Sequence, residues 1–302
     1  MNRISFCLLV ILTTGLMGSS FTIGKLGLAY SSPLLLVALR FTLAGIIMAT
    51  IVKILNKPHP VKAIDWVWIV LIGLFQTAFV MGCIFMALRT ITSGETSILT
   101  FMNPLLVVVF GTLFLKSRYH IQQWIGVLLG FIGVFLTLGS HLDFKVGTIL
   151  GLLSAVSWAI ATLLIKIHGF KFDTYVMTAY QMLFGGLILF LGSLLLEETF
   201  FKMTTQSILI LLWLTIAASI IQFSIWFYLL QRGNQERTSA FLFLAPFFGV
   251  LTGWFLLHER LTWSILFGGL LIFAGIFLVN WKNNYEKEIE KTDENNERLS
   301  ES

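Results

Sequence analysis

Residues 238–279 read TSAFLFLAPFFGVLTGWFLLHERLTWSILFGGLLIFAGIFLV, and this stretch decides the fold. It contains two long apolar runs that are separated by a short turn carrying Glu259 and Arg260. A helix needs about 20 apolar residues to cross the hydrocarbon core of a bilayer. Both runs are continuously apolar, whereas the strands of a membrane barrel alternate and are about ten residues long. The stretch therefore predicts two membrane-spanning helices.

The composition extends this interpretation to the whole chain. Of the 302 residues, 57% are hydrophobic and only 12% are charged, and the mean hydropathy is +0.89. A soluble domain has about 25% charged residues, so this chain has too little charge to cover a water-facing surface. Ten segments have the length of a membrane span, at about 4–24, 33–52, 66–88, 95–115, 122–139, 146–167, 173–196, 206–230, 237–257 and 263–281. We predict an all-α integral membrane protein with ten transmembrane helices.

The distribution of basic residues predicts the orientation, because Lys and Arg accumulate in cytoplasmic loops. With a cytoplasmic N-terminus, 14 basic residues lie on the cytoplasmic side and 5 on the outside, while Arg40 lies within a span. The 14 are Arg3, Lys53, Lys57, Lys62, Lys116, Arg118, Lys166, Lys171, Arg232, Arg237, Lys282, Lys287, Lys291 and Arg298; the 5 are Lys25, Arg89, Lys145, Lys202 and Arg260. We predict a multi-pass protein of the cell membrane with both termini in the cytoplasm. Its basic charge is no indication of nucleic-acid binding.

The two ends of the chain differ in character. Residues 282–302, KNNYEKEIEKTDENNERLSES, form a charged tail that cannot bury a core, so we predict disorder or a frayed helix there. The first segment has the features of a signal peptide, namely Arg3, an apolar stretch and the small residues Gly18, Ser19 and Ser20. Its part in an internal repeat favours a retained span instead.

The internal repeat relates the two halves of the chain. Residues 96–137 align with residues 238–279 at an offset of 142. An offset of 141 aligns Lys25 with Lys166 and Arg40 with Gln181. Shared apolar composition would not also align proline, glycine, arginine and threonine. The pairs are Thr96 with Thr238, Pro104 with Pro246, Gly111 with Gly253, Arg118 with Arg260, Gly126 with Gly268 and Gly133 with Gly275.

The repeat predicts two domains, residues 1–140 and residues 141–281, followed by the tail. Each domain holds five predicted spans, which is an odd number, so the second domain enters the membrane from the opposite side. Two inverted five-helix repeats are typical of secondary transporters, which place the substrate site near the membrane midplane between the repeats. Such a pair can open to either side of the membrane in turn.

The sequence resembles the EamA-type members of the drug/metabolite transporter superfamily. The resemblance rests on Gly15–Lys25, on Leu39-Arg40-Phe41 and above all on residues 238–279, and it covers about 4–281. It implies ten helices, an inverted repeat, a central cavity and transport of small metabolites, often export. The first half departs from the pattern, because Lys116-Ser117-Arg118 stands where the second half has His258-Glu259-Arg260. This departure weakens a role for the acidic residue in transport chemistry.

Polar and aromatic residues recur at helical spacing on several spans. The resemblance implies a cavity lined by the first, third, fourth, sixth, eighth and ninth spans. The polar and aromatic residues of these spans could line that cavity, or they could serve helix packing, as small and polar residues do in membranes. The predicted substrate-binding residues are Ser20, Gln76, Thr100, Asn103, Trp158, Gln222 and Trp226.

Three further residues are assigned to gating or to structure. Arg40 follows Pro33 by seven residues, so it lies about 10 Å into the membrane at 1.5 Å per residue. It could contact an anionic substrate, act as a gate or be held by backbone carbonyls. Pro104 and Pro246 interrupt two spans at equivalent positions and could be hinges or static bends.

We predict a secondary carrier that moves a small organic metabolite, amino acid-like or related, outward by alternating access. A membrane enzyme or a lipid scramblase with the same cavity is the alternative, and a receptor or structural membrane protein is a third. No phosphate loop, dinucleotide-binding motif or His-Glu-x-x-His motif is present, so we expect no enzyme, cofactor or metal. Its expected partners are the substrate and the bilayer, as a monomer or homodimer.

Overall fold

The computed structural model describes residues 3–116, 119–137, 145–232 and 241–280, and these residues are mostly helical. The predicted tail lies outside them. Within this part no strand forms, and an isolated bridge joins Ser31 to Phe201. The helices are α1 (Arg3–Gly27), α2 (Pro33–Ile54), α3 (Ala63–Gly73), π1 (Leu74–Phe79), α4 (Val80–Ala87), α5 (Ser93–Thr100), α6 (Asn103–Leu115), α7 (Ile121–Thr137), α8 (Val146–His168), α9 (Thr174–Leu196), α10 (Thr205–Thr215), π2 (Ile216–Ile221), α11 (Gln222–Arg232), α12 (Leu244–Leu257) and α13 (Trp263–Asn280).

The helices have the length and the surface of membrane spans. Seven helical stretches in the described ranges are long and apolar enough to cross a bilayer. Three shorter apolar helices accompany them, Ile121–Leu136, Leu244–Leu257 and Trp263–Val279. The all-helical class and the multi-pass character are confirmed, while the count of ten spans stays a prediction.

Helices at equivalent positions of the two halves pack against each other. The most extensive contacts join α2 to α9 and α7 to α13. Glycine allows the second contact, because a Cβ atom on Gly126 would lie 2.6 Å from the carbonyl oxygen of Gly275. These two pairs leave the remaining helices to surround the space between the halves.

Two π-helical segments interrupt the third and eighth predicted spans. They are π1 and π2, which lie 142 residues apart and are both six residues long. A π-helical turn shifts the hydrogen-bond register from i+4 to i+5, and such turns occur often at functional sites. No sequence pattern predicted these segments, although their spacing of 142 residues follows the same repeat.

The fourth predicted span is broken just before Pro104. Helix α5 ends at Thr100, Phe101 and Met102 form a turn, and α6 begins at Asn103. Pro104 therefore stands in the first turn of a new helix, where its missing N–H costs no hydrogen bond. Pro246 similarly stands in the first turn of α12, after the short 3₁₀ turn Phe241–Phe243. A helix thus begins close to each of the two prolines, and whether these interruptions are hinges or static bends stays a prediction.

Candidate functional site

A cavity of about 450 Å³ lies between the two halves, and we call it the main cavity. It extends from Met17, near the middle of α1, to the end of the bundle where α7 begins and α13 ends. The distribution of basic residues predicts that this end faces the cytoplasm. We therefore call it the inner end, and we call the opposite end the outer end. The lining consists of Met17, Gln76, Asn103, Pro104, Val107, Val108, Tyr119, Gln123, Trp158, Thr162, Ile165, Met177, Gln181, Phe223, Trp226, Leu242 and Val279.

A smaller extension continues the main cavity toward the outer end, and we call it the Arg40 pocket. It measures about 30 Å³ and shares Met17, Gln76, Trp158 and Phe223 with the main cavity. Its own lining adds Ser20, Phe21, Arg40, Met81, Ile84, Phe85, Phe101, Ala218 and Gln222. The space suffices for about two water-sized groups.

The structure brings six of the seven predicted substrate-binding residues to these two spaces. Asn103 and Trp226 line the main cavity, Ser20 and Gln222 line the Arg40 pocket, and Gln76 and Trp158 line both.

Thr100 lies elsewhere. It is fully buried, and its hydroxyl shares a hydrogen bond of 2.8 Å with the hydroxyl of Ser154. The stripe of polar residues on the fourth span turns away from the cavity at this position because the helix ends at Thr100. The hydroxyl pair ties α5 to α8, so the structure places Thr100 in helix packing.

Three buried polar atoms on the lining have no hydrogen-bond partner in the described part of the chain. They are Asn103 Oδ1, Gln181 Oε1 and Gln222 Nε2. Buried polar atoms are nearly always bonded, since leaving one unpaired costs free energy. Such atoms on a cavity wall are available to a ligand. Gln181 was not among the predicted site residues, although the repeat aligns it with Arg40.

Arg40 is the charged residue of the small pocket and is 2% exposed. Its Nε donates a hydrogen bond of 2.9 Å to Ser219 Oγ, and Nη2 donates one of 2.9 Å to the carbonyl oxygen of Ala218. Both acceptors belong to π2. Within the described ranges no carboxylate pairs with this guanidinium.

The outer end is closed by a polar cluster around Glu259, which we call the Glu259 cluster: Lys25, Ser93, Gly94 and Glu259. Lys25 Nζ lies 3.0 Å from Glu259 Oε1. The same carboxylate accepts hydrogen bonds from the backbone N–H groups of Ser93 (2.8 Å) and Gly94 (3.3 Å) and from Ser93 Oγ (2.8 Å). An acid is well placed there, because a helix N-terminus carries unpaired N–H groups and partial positive charge.

Beneath this cluster, α1 and α12 approach to backbone contact. A Cβ atom on Gly18 would lie 2.7 Å from the backbone nitrogen of Gly249 and would collide with the carbonyl oxygen of Ala245. The hydroxyl of Thr22 bonds those of Thr252 (2.8 Å) and Ser93 (3.2 Å) on the same face. The described residues therefore form a bundle that is packed shut at one end and hollow at the other.

The comparisons with known proteins agree with this architecture. The sequence profile described as EamA-like transporter family matches twice, over residues 4–139 and 145–281. A Bacillus subtilis (strain 168) protein named "Uncharacterized transporter YvbV" is 29% identical over 276 residues, which cover 89% of this chain and 90% of the relative. A Salmonella typhimurium (strain LT2) protein named "Probable amino-acid metabolite efflux pump" is 27% identical over 284 residues, covering 89% and 93%.

One solved crystal structure is similar in fold. It aligns with a TM-score of 0.64 and 21% sequence identity, and the match covers 92% of this chain and 98% of the other.

Proposed function

The chain belongs to the EamA-like transporter family, and from that premise we propose that it is a secondary carrier exporting a small organic metabolite by alternating access. The observation that carries the proposal is the contrast between the two ends of the bundle. A cavity of about 450 Å³ reaches the inner end, while the Glu259 cluster closes the outer end. An exporting carrier has its cavity open to the cytoplasm and its outer end closed while it takes up substrate.

The cavity suits a metabolite in size and in chemistry. Ligand pockets for small molecules occupy about 300–1,000 Å³ and combine apolar walls with a few polar groups. Here Trp158 and Trp226 supply aromatic faces, and Asn103 and Gln181 supply buried polar atoms that lack partners. The relative named as an amino-acid metabolite efflux pump supports an amino acid-like substrate and outward transport.

The repeat supports the alternating mechanism. Inverted repeats give two similar conformations that expose one central site to opposite sides of the membrane. The pairing of α2 with α9 and of α7 with α13 is the arrangement expected of such halves. Switching would close the inner end as the Glu259 cluster parts.

A flux measurement separates this function from the alternatives. The purified protein is reconstituted into liposomes preloaded with unlabelled amino acids and their deaminated derivatives, and uptake of the labelled compounds is measured. A carrier accumulates label only when the compound is inside, because exchange is faster than net flux. A scramblase would move labelled phospholipid instead, and a membrane enzyme would release a changed product. Uptake of no compound would contradict the proposal.

Asn103 tests the site within the same assay. Asn103→Ala removes a buried oxygen that has no protein partner, so it should leave the melting temperature nearly unchanged. It should raise the substrate concentration for half-maximal exchange about tenfold if the amide binds substrate. Thr100→Ala is the matched control, because it breaks the bond to Ser154 and should lower stability without changing substrate affinity. Loss of stability in Asn103→Ala would make it a packing residue.

The orientation is a separate prediction. The ratio of 14 to 5 basic residues predicts that both termini lie in the cytoplasm. A phosphatase reporter that works only outside the cytoplasm, fused after Ser302, should be inactive, and a fluorescent protein at the same position should fold. An active phosphatase would reverse the orientation, and the hollow end would then face outward.

A further inference from the structure

We propose that Arg40 binds a carboxylate of the transported substrate, so that the carrier selects small organic acids and requires no amino group on them. This inference rests on the proposed function, because it names the chemical class of the solute that enters the main cavity. The carboxylate would occupy the Arg40 pocket, and the rest of the molecule would lie in the main cavity between Trp158 and Trp226.

The hydrogen bonding of Arg40 leaves capacity for a ligand. A guanidinium has five N–H donors in a planar fork. Two of them are used, by Ser219 Oγ and the carbonyl oxygen of Ala218. In the described part of the chain the other three have no protein acceptor, although the residue is 2% exposed. The fork that remains matches the two oxygens of a carboxylate.

Among the described residues Arg40 has no opposite charge beside it, although its guanidinium carbon lies 4.7 Å from the centre of the neutral Phe41 ring. A buried charge is unfavourable unless an opposite charge or several hydrogen bonds accompany it. Its two acceptors are neutral and orient the side chain without cancelling its charge. None of the described residues that line the main cavity or the Arg40 pocket is Asp or Glu. An anion supplied by the substrate would complete the site.

Helix packing alone does not explain why a charged residue stands at position 40. The repeat places neutral Gln181 at the equivalent position on α9, so the paired packing of α2 and α9 does not need a cation. The repeat relates Ala218 and Ser219, which hold Arg40, to Gln76 and Thr77 of π1. The group of residues that includes Arg40 is therefore charged, while the equivalent group around Gln181 carries neutral side chains.

The surroundings of Arg40 fit one end of a carboxylic acid. Gln222 Nε2 is a second buried donor without a partner on the same pocket wall. The amide of Gln76 lies where the pocket meets the main cavity. The volume of about 30 Å³ is enough for about two water-sized groups, such as the two oxygens of a carboxylate. The described lining residues offer an ammonium group no carboxylate, so we infer that the amino group is dispensable.

The test compares acids with their neutral amides. The purified protein is titrated with 3-phenylpropanoate and 3-phenylpropanamide, with 4-methylpentanoate and 4-methylpentanamide, and with L-phenylalanine, L-leucine and their amides. Binding is followed by the melting temperature and by the fluorescence of the tryptophans. At least one acid should bind at least about tenfold more tightly than its amide. Its counterpart without the amino group should bind within about threefold of the amino acid.

Two substitutions link the preference to Arg40. Arg40→Gln should remove the preference for the acid, and Arg40→Lys should keep part of it, since Lys retains the charge but loses the planar fork. The control is Lys166→Gln, which removes an exposed basic residue that lines neither the main cavity nor the Arg40 pocket and should keep the preference. If Arg40→Gln does not fold, the comparison of acids with amides on the unsubstituted protein still decides the question.

The results separate this inference from the proposed function. Exchange of labelled solutes in liposomes without any preference for acids would leave the carrier in place and overturn the role of Arg40. An amide that binds as well as its acid, or an acid preference that persists in Arg40→Gln, would also overturn it. Preference for an acid together with a failure of all exchange would support the Arg40 site and contradict the carrier. Tighter binding of a phosphate monoester than of every carboxylate would overturn the assignment to organic acids.

Discussion

The two ends of the molecule are built from equivalent parts of the repeat, yet one is closed and the other is hollow. At the outer end Lys25 pairs with Glu259, and the carboxylate caps the start of α5. At the inner end the repeat places Lys166 at the position of Lys25, and Lys166 is exposed with no ion pair among the described residues. The equivalent of Glu259 is Ser117, which lies outside the described residues. The closed end is thus the one that carries the acid.

The contacts between helix backbones also distinguish the closed end from the hollow end. Gly18 and Gly249 meet at the closed end. Their equivalents by the repeat are Ala159 and Val107, and Val107 lines the main cavity. Larger side chains keep two helices apart, whereas glycines let their backbones touch. Small differences between otherwise similar halves therefore favour the conformation that is closed at the outer end.

The inner end also has an ion pair, but of another kind. Lys57 Nζ lies 3.5 Å from Asp173 Oδ2. Neither residue lines the main cavity, and Asp173 caps the start of α9. This pair ties the loop after α2 to the paired helix α9, so it holds two packed helices together rather than closing the cavity.

The largest effect is expected from Gly18→Ala. The new Cβ atom would lie 2.7 Å from the nitrogen of Gly249, and a backbone atom cannot move aside as a side chain can. Overpacking costs about 1–3 kcal/mol even against side chains. The outer end should therefore open, and a cysteine introduced at Ser20, with Cys7 and Cys83 replaced, should react with an impermeant maleimide from outside.

Gly15→Ala is the control for this experiment. Gly15 lies on the same helix, and its added Cβ atom would meet nothing within 4 Å. It should leave labelling and the melting temperature as they are, or raise stability slightly. Equal labelling of the two variants would mean that the contact of α1 with α12 does not close the outer end.

The next largest effect is expected from Glu259→Gln. The substitution removes the ion pair and weakens the bonds to the N–H groups of α5, at a cost of about 1–3 kcal/mol to the closed outer end. Outside labelling at the same introduced cysteine should rise about fivefold or more. Lys25→Met should act in the same direction, and the double variant should show less than the sum of the two effects. Lys166→Met is the matched control and should change nothing, while additive effects of the first two would contradict a direct pair.

Much of this arrangement could be predicted from the sequence, because it follows from composition and period. Continuous apolar runs predicted the helices, and the offset of about 142 predicted which helices are equivalent. The polar residues Gln76, Asn103 and Gln222 could be placed near a cavity because each lies on a span that the family resemblance implies lines it. Thr100 could not be separated from them, since the end of α5 depends on the turn at Phe101 and Met102.

Other features could not be predicted, because they depend on contacts between distant residues. The segments π1 and π2 have ordinary apolar sequences, and their register is set by packing. The absence of an acid in the first half weakened a role for Glu259, yet an asymmetric closure needs an acid in only one half. The alignment of Lys25 with Lys166 was the available signal. This alignment predicted a lysine at each end of the bundle, but it did not show that Lys25 pairs with a carboxylate.

The smallest effects are expected from the two prolines, and they compare the ends most directly. Pro104 lines the hollow main cavity, whereas Pro246 is buried near the closed end, with its carbonyl oxygen 3.5 Å from Ser97 Oγ. Because each proline lies in the first turn of a helix, replacing it with alanine should change the free energy of its conformation by only about 0.4–1 kcal/mol.

Alanine does not fix the backbone dihedral angle φ as proline does, so each substitution makes the start of its helix more flexible. Pro246→Ala should therefore raise labelling of the cysteine at position 20 from outside about two- to fivefold, and Pro104→Ala should change inside labelling by a similar factor without raising outside labelling. If both variants shift labelling in the same direction, or neither does, the prolines only set static bends and the two ends do not switch through them.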